Sequence, residues 1–272
     1  MASSVALALA MLPASALGSV TIGQLGSGFK DFSADFDWAQ PSVTSGTSYV
    51  SPVTGTIVSW SHQAVAGSNQ QLTMKLFRKV ADPTTYMAVA HDGARPLIGG
   101  TVNTFPVSIP VQAGDVLGLN TLSTASTGAL FQMPGQSFLY STSPLADGES
   151  GAFTVGGAPM NIDSRLNISA VIQPSSSFAL GAIRRNKRRG TAILAVRVPN
   201  PGVLTESGKG VKGLTSLTVS SPGSIPLRVA AKGAKRRRLA ETGRVRLRPT
   251  ITYMPTGGDP SSQTTGVKLK KR

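Results

Sequence analysis

The chain has 272 residues, enough for two domains of ordinary size, and its 40% hydrophobic content is typical of globular protein. It contains no cysteine, which excludes disulfides, zinc–thiolate sites and cysteine nucleophiles. Residues 1–175 hold 6 Lys/Arg and 9 Asp/Glu, a net charge of −3, whereas residues 176–272 hold 21 Lys/Arg and 3 Asp/Glu, a net charge of +18. This break predicts two modules with different partners.

Residues 1–18 have the pattern of a secretory signal peptide. An apolar run at residues 5–12 is followed by Pro13 and then by Ala14-Ser15-Ala16, the small-residue pattern after which signal peptidases cut. The Lys or Arg that normally precedes such a run is absent, and a buried N-terminal helix or strand is the alternative. The run is too short to span a bilayer. We therefore expect a secreted or envelope-associated protein with no transmembrane span in its mature chain.

Short strand patterns separated by turns fill residues 20–172. In the clearest, at residues 31–38, Phe36 and Trp38 share the apolar face while Asp31, Asp35 and Asp37 share the other. Further strands are predicted at residues 49–53, 55–62, 71–80, 86–91, 104–111, 116–122, 129–133, 137–140, 152–155 and 165–172. Strands of this length and spacing predict an all-β fold, an antiparallel sandwich of jelly-roll type.

A second β module follows a predicted linker at residues 173–182, where Pro174 cannot continue a ladder and the neighbouring serines bury little. Strands are predicted at residues 191–198, 203–206, 214–219, 225–230, 244–253 and 264–269. In residues 244–253, Arg244, Arg246 and Arg248 alternate with apolar residues, so the charge faces outward from a packed core. These strands fit a small Ig-like sandwich at residues 183–272, with no helix predicted in it.

The candidate binding residues are basic. The predicted polyanion-binding set comprises Arg184, Arg185, Lys187, Arg188, Arg189, Lys235, Arg236, Arg237, Arg238, Arg244, Arg246 and Arg248. A merely solubilising surface is the alternative, but the density of charge favours a patch for polyanions. Four more cations, Lys268, Lys270, Lys271 and Arg272, close the chain.

The expected partners are anionic cell-wall or surface polymers, which Arg and Lys would bind through phosphate or carboxylate groups. Nucleic acid is the rival partner. It is less favoured because single-strand binders stack bases on aromatic side chains, and residues 176–272 contain only Phe178 and Tyr253 as aromatics.

No motif predicts catalysis, so we expect a non-enzymatic protein without cofactors. His62 and His91 fit no H-E-x-x-H pattern, G-x-S-x-G is absent, and both histidines are expected to end strands near the surface. Trp38 and Trp60 sit in alternating patterns and are expected in the core. A glycan-active enzyme is the third alternative, and it would require two carboxylates in one concave cleft.

No metal site is expected either. Asp31, Asp35 and Asp37 lie on one face of a predicted strand, but alternate residues of a strand are about 6.6 Å apart and cannot form a calcium cage alone. We expect these carboxylates to lie on a solvated outer face.

Several segments resemble exported surface proteins of high-GC Gram-positive bacteria. In the C-terminal part these are residues 187–192 (KRRGTA), 196–202 (VRVPNPG), 207–212 (SGKGVK) and 245–258, and in the N-terminal part residues 105–119. The resemblance covers most of the chain and implies a jelly-roll-like sandwich joined to a basic Ig-like module. It implies no activity, and the Asp-rich calcium linker that such proteins often carry is absent here.

Overall fold

The computed structural model describes residues 18–27, 29–30, 34–81, 83–122, 127–156 and 163–272, with only the backbone described for Phe29 and Lys30. Within these residues the chain is an all-β protein with one short helix, which confirms the predicted fold class. The predicted signal peptide, apart from its last residue, and Asp31 lie outside the described residues.

The strands of the N-terminal module are β1 Val20–Gln24, β2 Phe29–Lys30, β3 Phe36–Ala39, β4 Gly55–Gln63, β5 Gln70–Ala81, β6 Thr85–Leu97, β7 Val102–Val111, β8 Val116–Thr121, β9 Leu130–Gln132, β10 Leu139–Ser141, β11 Ser150–Ala152, β12 Thr154–Val155, β13 Ser164–Leu166 and β14 Ile168–Pro174. One sheet has the order β1-β14-β4-β7, a second has the order β11-β6-β5-β8-β3-β10-β12, and a small third sheet has the order β13-β9-β2.

Eight of these strands follow the path of a jelly roll. In chain order, β1, β4, β7 and β14 enter the first sheet, while β3, β5, β6 and β8 enter the second, so the chain passes repeatedly between the sheets. The main core draws residues from both sheets, and it contains Trp38 and Trp60, which are fully buried as predicted.

The opposite face of the second sheet is covered by the segment after β10, where Phe77 packs edge-on against Phe153. On that face Lys75 Nζ lies 2.7 Å from Asp37 Oδ1 and donates to the carbonyl oxygen of Leu145 at 2.7 Å. The Leu145 N–H donates to Asp37 Oδ2 at 2.8 Å. The prediction of a solvated Asp37 is therefore wrong, because a distant segment covers it. Burial raises the pKa of Asp37, while the Leu145 N–H and Lys75 oppose that shift.

Three other predictions for this module are wrong. His62 is fully buried, with its ring nitrogens 2.6 and 2.8 Å from the carbonyl oxygens of Asn167 and Thr127, and burial lowers its pKa. His91 is exposed as expected but lies within β6, where its Nδ1 is 3.0 Å from Asp147. Residues 49–53 form no strand beyond a single bridge to β8.

The C-terminal module consists of β15 Ala179–Asn186, β16 Thr191–Val198, β17 Gly202–Ser207, β18 Leu214–Val219, β19 Gly223–Val229, α1 Gly233–Thr242, β20 Arg244–Leu247, β21 Thr250–Pro255, β22 Ser261–Thr264 and β23 Val267–Lys270. Its sheets have the orders β15-β16-β19 and β18-β17-β21-β22, and β20 pairs with β23 in a two-stranded ribbon. One core, including Leu194, Leu204 and Tyr253, draws on all three. The Ig-like assignment stays a prediction.

The predicted strand at residues 244–253 is interrupted. Its alternation is correct, since Arg244, Arg246 and Arg248 are exposed while Val245 and Leu247 are buried. However, β20 and β21 join different sheets on either side of Pro249, which has no N–H to continue a ladder. The predicted strand at residues 264–269 is divided in the same way into the end of β22 and most of β23.

The helix α1 contradicts the prediction that this module contains none. It ends at Gly243, which takes a left-handed φ of 66° and donates its N–H to the carbonyl oxygen of Leu239. Leu239 is the single buried residue of α1, so its sequence shows no apolar stripe of helical period. Residues 235–238 are instead four consecutive basic residues, Lys-Arg-Arg-Arg.

The junction between the modules is shorter and more constrained than the predicted linker, because β14 runs to Pro174 and β15 begins at Ala179. Asn200 is fully buried there. Its Oδ1 accepts the N–H of Thr54 at 2.7 Å, and its Nδ2 donates to the carbonyl oxygens of Thr54 and Ser175 at 2.8 and 3.0 Å. Hydrogen bonds therefore join the two modules directly.

Candidate polyanion-binding clefts

Three clefts on the C-terminal module are each lined by at least four basic side chains and by no carboxylate. The ribbon cleft, of about 370 Å³, lies between α1 and the β20–β23 ribbon, and its cations are Lys235, Arg238, Arg244, Arg246 and Lys268. The large cleft, of about 790 Å³, has the cations Arg189, Lys212, Arg228, Lys232, Arg236 and Lys271. The outer cleft, of about 560 Å³, has the cations Arg185, Arg246, Arg248 and Lys268. Because the ribbon and outer clefts share Arg246 and Lys268, they form one continuous basic surface.

The ribbon places like charges directly opposite each other. Arg244 pairs in register with Lys270, and Arg246 pairs with Lys268. The alternate residues of the two strands, such as Val245 and Leu269, are buried in the core. Side chains opposite each other on antiparallel strands have Cβ atoms about 4.5–5.5 Å apart, and like charges in that arrangement destabilise the pair. The ribbon therefore carries a repulsion that serves no packing purpose.

The large cleft is assembled from separate segments of the chain. Arg189 comes from the turn between β15 and β16, Lys212 from the loop before β18, Arg228 from β19, and Lys271 from the end of the chain. Backbone hydrogen bonds hold these segments together, including Lys212 N–H to the Ala230 carbonyl oxygen at 2.8 Å. The walls of the cleft are thus fixed by the fold.

One glycine allows the walls to approach closely. Gly190 takes a left-handed φ of 61°, and a Cβ there would lie 3.0 Å from Leu239 Cδ2 and 3.4 Å from Lys271 Cβ. Glycine is therefore favoured at this position, where the turn after Arg189 packs against α1.

No carboxylate neutralises these cations within the described residues. Asp259 accepts a hydrogen bond from Gln173 at 3.2 Å, and Glu241 is exposed on α1 outside the three clefts. Glu206 points into the module, is 5% exposed, and has no hydrogen-bond partner for Oε1 among the described residues. Burial raises the pKa of Glu206 to about 7. The clefts therefore keep their positive charge uncompensated.

The structure brings together most of the predicted residues but not all of them. Those that line a cleft are Arg185, Arg189, Lys235, Arg236, Arg238, Arg244, Arg246 and Arg248. Those that line none of the three clefts are Arg184, Lys187, Arg188 and Arg237. Polyanion binding by either group stays a prediction.

Five cleft residues were missing from the predicted set, namely Lys212, Arg228, Lys232, Lys268 and Lys271. Lys268 and Lys271 belong to the charged C-terminus that the sequence does show. Lys212, Arg228 and Lys232 stand outside any run of charge, and a bridge between Val211 and Ala231 brings their segments together. No local pattern signals such a contact.

In the described part of the chain, no group of three or more His, Cys, Asp or Glu side chains is placed to hold a metal ion. No helix in that part is long and apolar enough to cross a membrane.

Comparison with known proteins gives no family. No family model matches the chain, and no curated protein matches it. Among solved structures, a Ruminococcus gnavus β-glucuronidase aligns at 10% identity with a TM-score of 0.23, over 94% of this chain and 45% of that one. A β-D-glucuronidase from Dictyoglomus thermophilum aligns at 10% identity with a TM-score of 0.21, over 96% and 45%. The chain spans less than half the length of either enzyme, and TM-scores this low do not indicate a shared fold.

Proposed function

We propose that this is an exported, non-enzymatic binding protein whose C-terminal module holds it to anionic polymers of the cell envelope. The observation that supports this is the convergence of cations from distant segments on three clefts that contain no carboxylate. The like-charged ribbon supports it further, because a destabilising arrangement is relieved when a polyanion binds.

Binding of this kind depends on many weak contacts. Each exposed pair of an Arg or Lys with a phosphate or carboxylate contributes roughly 0.2–1 kcal/mol. Affinity therefore comes from the number of cations engaged along one polymer chain. Such contacts are screened over about 8–10 Å at physiological ionic strength, so retention should fall steeply as salt is added.

In this proposal the jelly-roll module contacts an uncharged ligand such as a glycan. A cleft of about 530 Å³ lies beside β10 and β11, and Ser141, Ser143, Ser150 and Thr154 line it together with Tyr140. Hydroxyl groups with no charge suit a neutral polar ligand. A screen of uncharged glycans checks this, with Ser150→Trp as the variant that blocks the cleft. Equal binding of a glycan to the parent protein and to Ser150→Trp would mean that its site lies elsewhere.

Nucleic acid binding is the second candidate, and α1 is the observation that favours it. The helix exposes Arg236, Arg237 and Arg238, so the module has a basic helix that the sequence did not predict. Against this candidate, both aromatics of the module are buried, Phe178 at 6% exposure and Tyr253 at 0%, and neither offers a stacking platform.

Sedimentation with purified cell walls tests the proposal, with duplex and single-stranded DNA as competitors and a salt series from low to high ionic strength. We expect retention that falls with salt and resists competition by DNA. Retention on cell walls that does not change with salt concentration would contradict charge-based binding. Displacement by DNA at equal phosphate concentration would promote the second candidate.

Two variants of equal charge sharpen this test. Changing Arg189, Arg236, Arg244 and Arg246 to Ser removes four cations from the clefts, and changing Arg184, Lys187, Arg188 and Arg237 to Ser removes four from outside them. The first set should lower retention by about tenfold or more, and the second by much less. Equal losses would mean that net charge, and not the clefts, determines binding.

A further inference from the structure

We propose that the large cleft is a discrete pocket for a phosphoryl group, carried by an envelope polymer or by a free condensed phosphate. This inference rests on the proposed function but goes beyond it, because it assigns saturable, geometry-dependent recognition to one of the three clefts. The ribbon and outer clefts then contribute diffuse attraction only.

The large cleft differs from the other two in its volume and in the number of cations that line it. All three volumes fall within the range of about 300–1,000 Å³ typical of ligand pockets, but the large cleft is the most spacious of the three at about 790 Å³ and has six cations. Its lining includes the small residues Gly190, Ala230 and Ala231, and it draws on the β15–β16 turn, β19 and α1. The ribbon, by contrast, displays its cations on the outer face of two strands.

The charge of the cleft points to phosphate over carboxylate. Three Arg and three Lys line it without an acidic residue. A carboxylate brings one negative charge, whereas a phosphomonoester brings about −1.5 to −2 and three strong acceptor oxygens. A phosphoryl group therefore compensates converging cations with the fewest ligand atoms. Two guanidinium groups from separate segments, Arg189 in the β15–β16 turn and Arg228 in β19, suit bidentate contacts with its oxygens.

Calorimetric titration of the full chain with tripolyphosphate tests this inference at one fixed ionic strength. We expect a saturable site of one ligand per chain. The variant carrying Arg189→Gln, Arg228→Gln and Arg236→Gln should raise the Kd about tenfold or more. The matched variant carrying Arg244→Gln, Arg246→Gln and Arg248→Gln loses the same charge from outside the large cleft, and its Kd should rise less than about threefold.

Two comparisons separate the ligand chemistry from its source. Trigalacturonate, a carboxylate oligomer, should bind about tenfold more weakly than tripolyphosphate. A polysaccharide that carries phosphomonoester groups, added as competitor, should displace tripolyphosphate if the natural ligand is polymer-linked, and a free condensed phosphate is indicated if it does not. Equal affinity for the two oligomers, or equal losses in the two triple variants, would overturn the inference.

Lysine acetylation of the unmutated protein gives a readout that does not depend on a variant folding. Tripolyphosphate should protect Lys212, Lys232 and Lys271 from an acetylating reagent and leave Lys187 and Lys270 reactive. Uniform protection would overturn the inference while leaving the proposed function intact. Failure of the chain to bind cell walls would contradict the proposed function, and saturable tripolyphosphate binding would then still establish the pocket.

Discussion

The two modules use charged side chains in opposite ways. In the N-terminal module cations are paired with carboxylates, as in Arg78 with Asp115 and Arg95 with Asp92, each at 2.7 Å, and Asp115 is almost fully buried. In the C-terminal module no ion pair forms within the described residues, although it holds most of the cations of the chain. Charge in the first module supports the fold, whereas charge in the second is left available to a partner.

The same chemical change, from a cation to a neutral residue, should therefore affect stability with opposite signs in the two modules. A carboxylate left alone in a buried site is costly, because it loses its partner without regaining water. An exposed cation next to another cation loses only a repulsion.

The largest effect is expected at the buried pair of Lys75 and Asp37. Lys75→Met leaves Asp37 uncompensated beneath the segment that contains Leu145, and it should lower the free energy of unfolding by about 3–5 kcal/mol. Urea denaturation measures this. The double variant Lys75→Met with Asp37→Asn removes both charges and should recover much of the loss. A single variant as stable as the parent would show that the pair does not hold the fold.

The next effect concerns Glu206, the one carboxylate buried in the basic module. Burial raises its pKa to about 7 from an ordinary value of 4.5, so the folded state favours the protonated form. The contribution of protonated Glu206 to folding stability is complete below about pH 4.5 and is lost as the pH rises through about 7. Glu206→Gln should therefore raise the free energy of unfolding by about 2–3 kcal/mol at pH 8 and by little at pH 4.5.

The matched control for Glu206 is Glu241→Gln on the exposed face of α1, which should show no such pH dependence. Unfolding curves at pH 4.5, 6, 7 and 8 make the comparison. A parent protein whose stability does not decline between pH 5 and 8 relative to Glu206→Gln would contradict the raised pKa.

The junction between the modules should respond to a smaller degree. Asn200→Ala leaves backbone groups of Thr54 and Ser175 without their partners, at a cost of about 2 kcal/mol. Its distinctive result should be faster proteolysis at residues 175–178, with unfolding resolved into two transitions. Asn186→Ala, at the exposed end of β15, is the control: it removes one exposed hydrogen bond, from the Arg189 N–H, and should change neither. If Asn200→Ala behaves like that control, the modules are joined by other contacts.

Much of this architecture could be predicted because period-two alternation is a local signal. Strands β16 and β18 have the predicted bounds, and the exposed and buried faces around Arg244–Leu247 are correct. The helix was missed because one buried leucine anchors it and the rest of its surface is charged or solvated. Propensity without an apolar stripe gives no reliable helix signal.

The remaining errors come from contacts between distant segments. Asp37 has the spacing of a solvated stripe, and it is buried only because residues over a hundred positions later in the chain cover it. The large cleft likewise combines Lys212 with Arg228 through pairing around Val211 and Ala231. Sequence composition therefore showed where basic charge is concentrated, while the grouping of those cations into clefts required the fold.

The smallest effect is the most direct test of the contrast between the modules. Arg246 lies opposite Lys268 on the ribbon. Arg184, on β15, lies opposite the uncharged Ile193 on β16. Arg246→Thr should raise the free energy of unfolding by about 0.2–1 kcal/mol at low salt, because it removes a cross-strand repulsion. In about 1 M salt, where the Debye length is about 3 Å, the gain should disappear. Arg184→Thr should leave stability nearly unchanged at both salt concentrations.

Arg246→Thr should also weaken retention on cell walls, so that stability rises as binding falls. This combination is expected of a residue that serves binding and not folding. A loss of stability in Arg246→Thr at low salt would instead show that this arginine serves the fold, and the contrast between the modules would not extend to the ribbon.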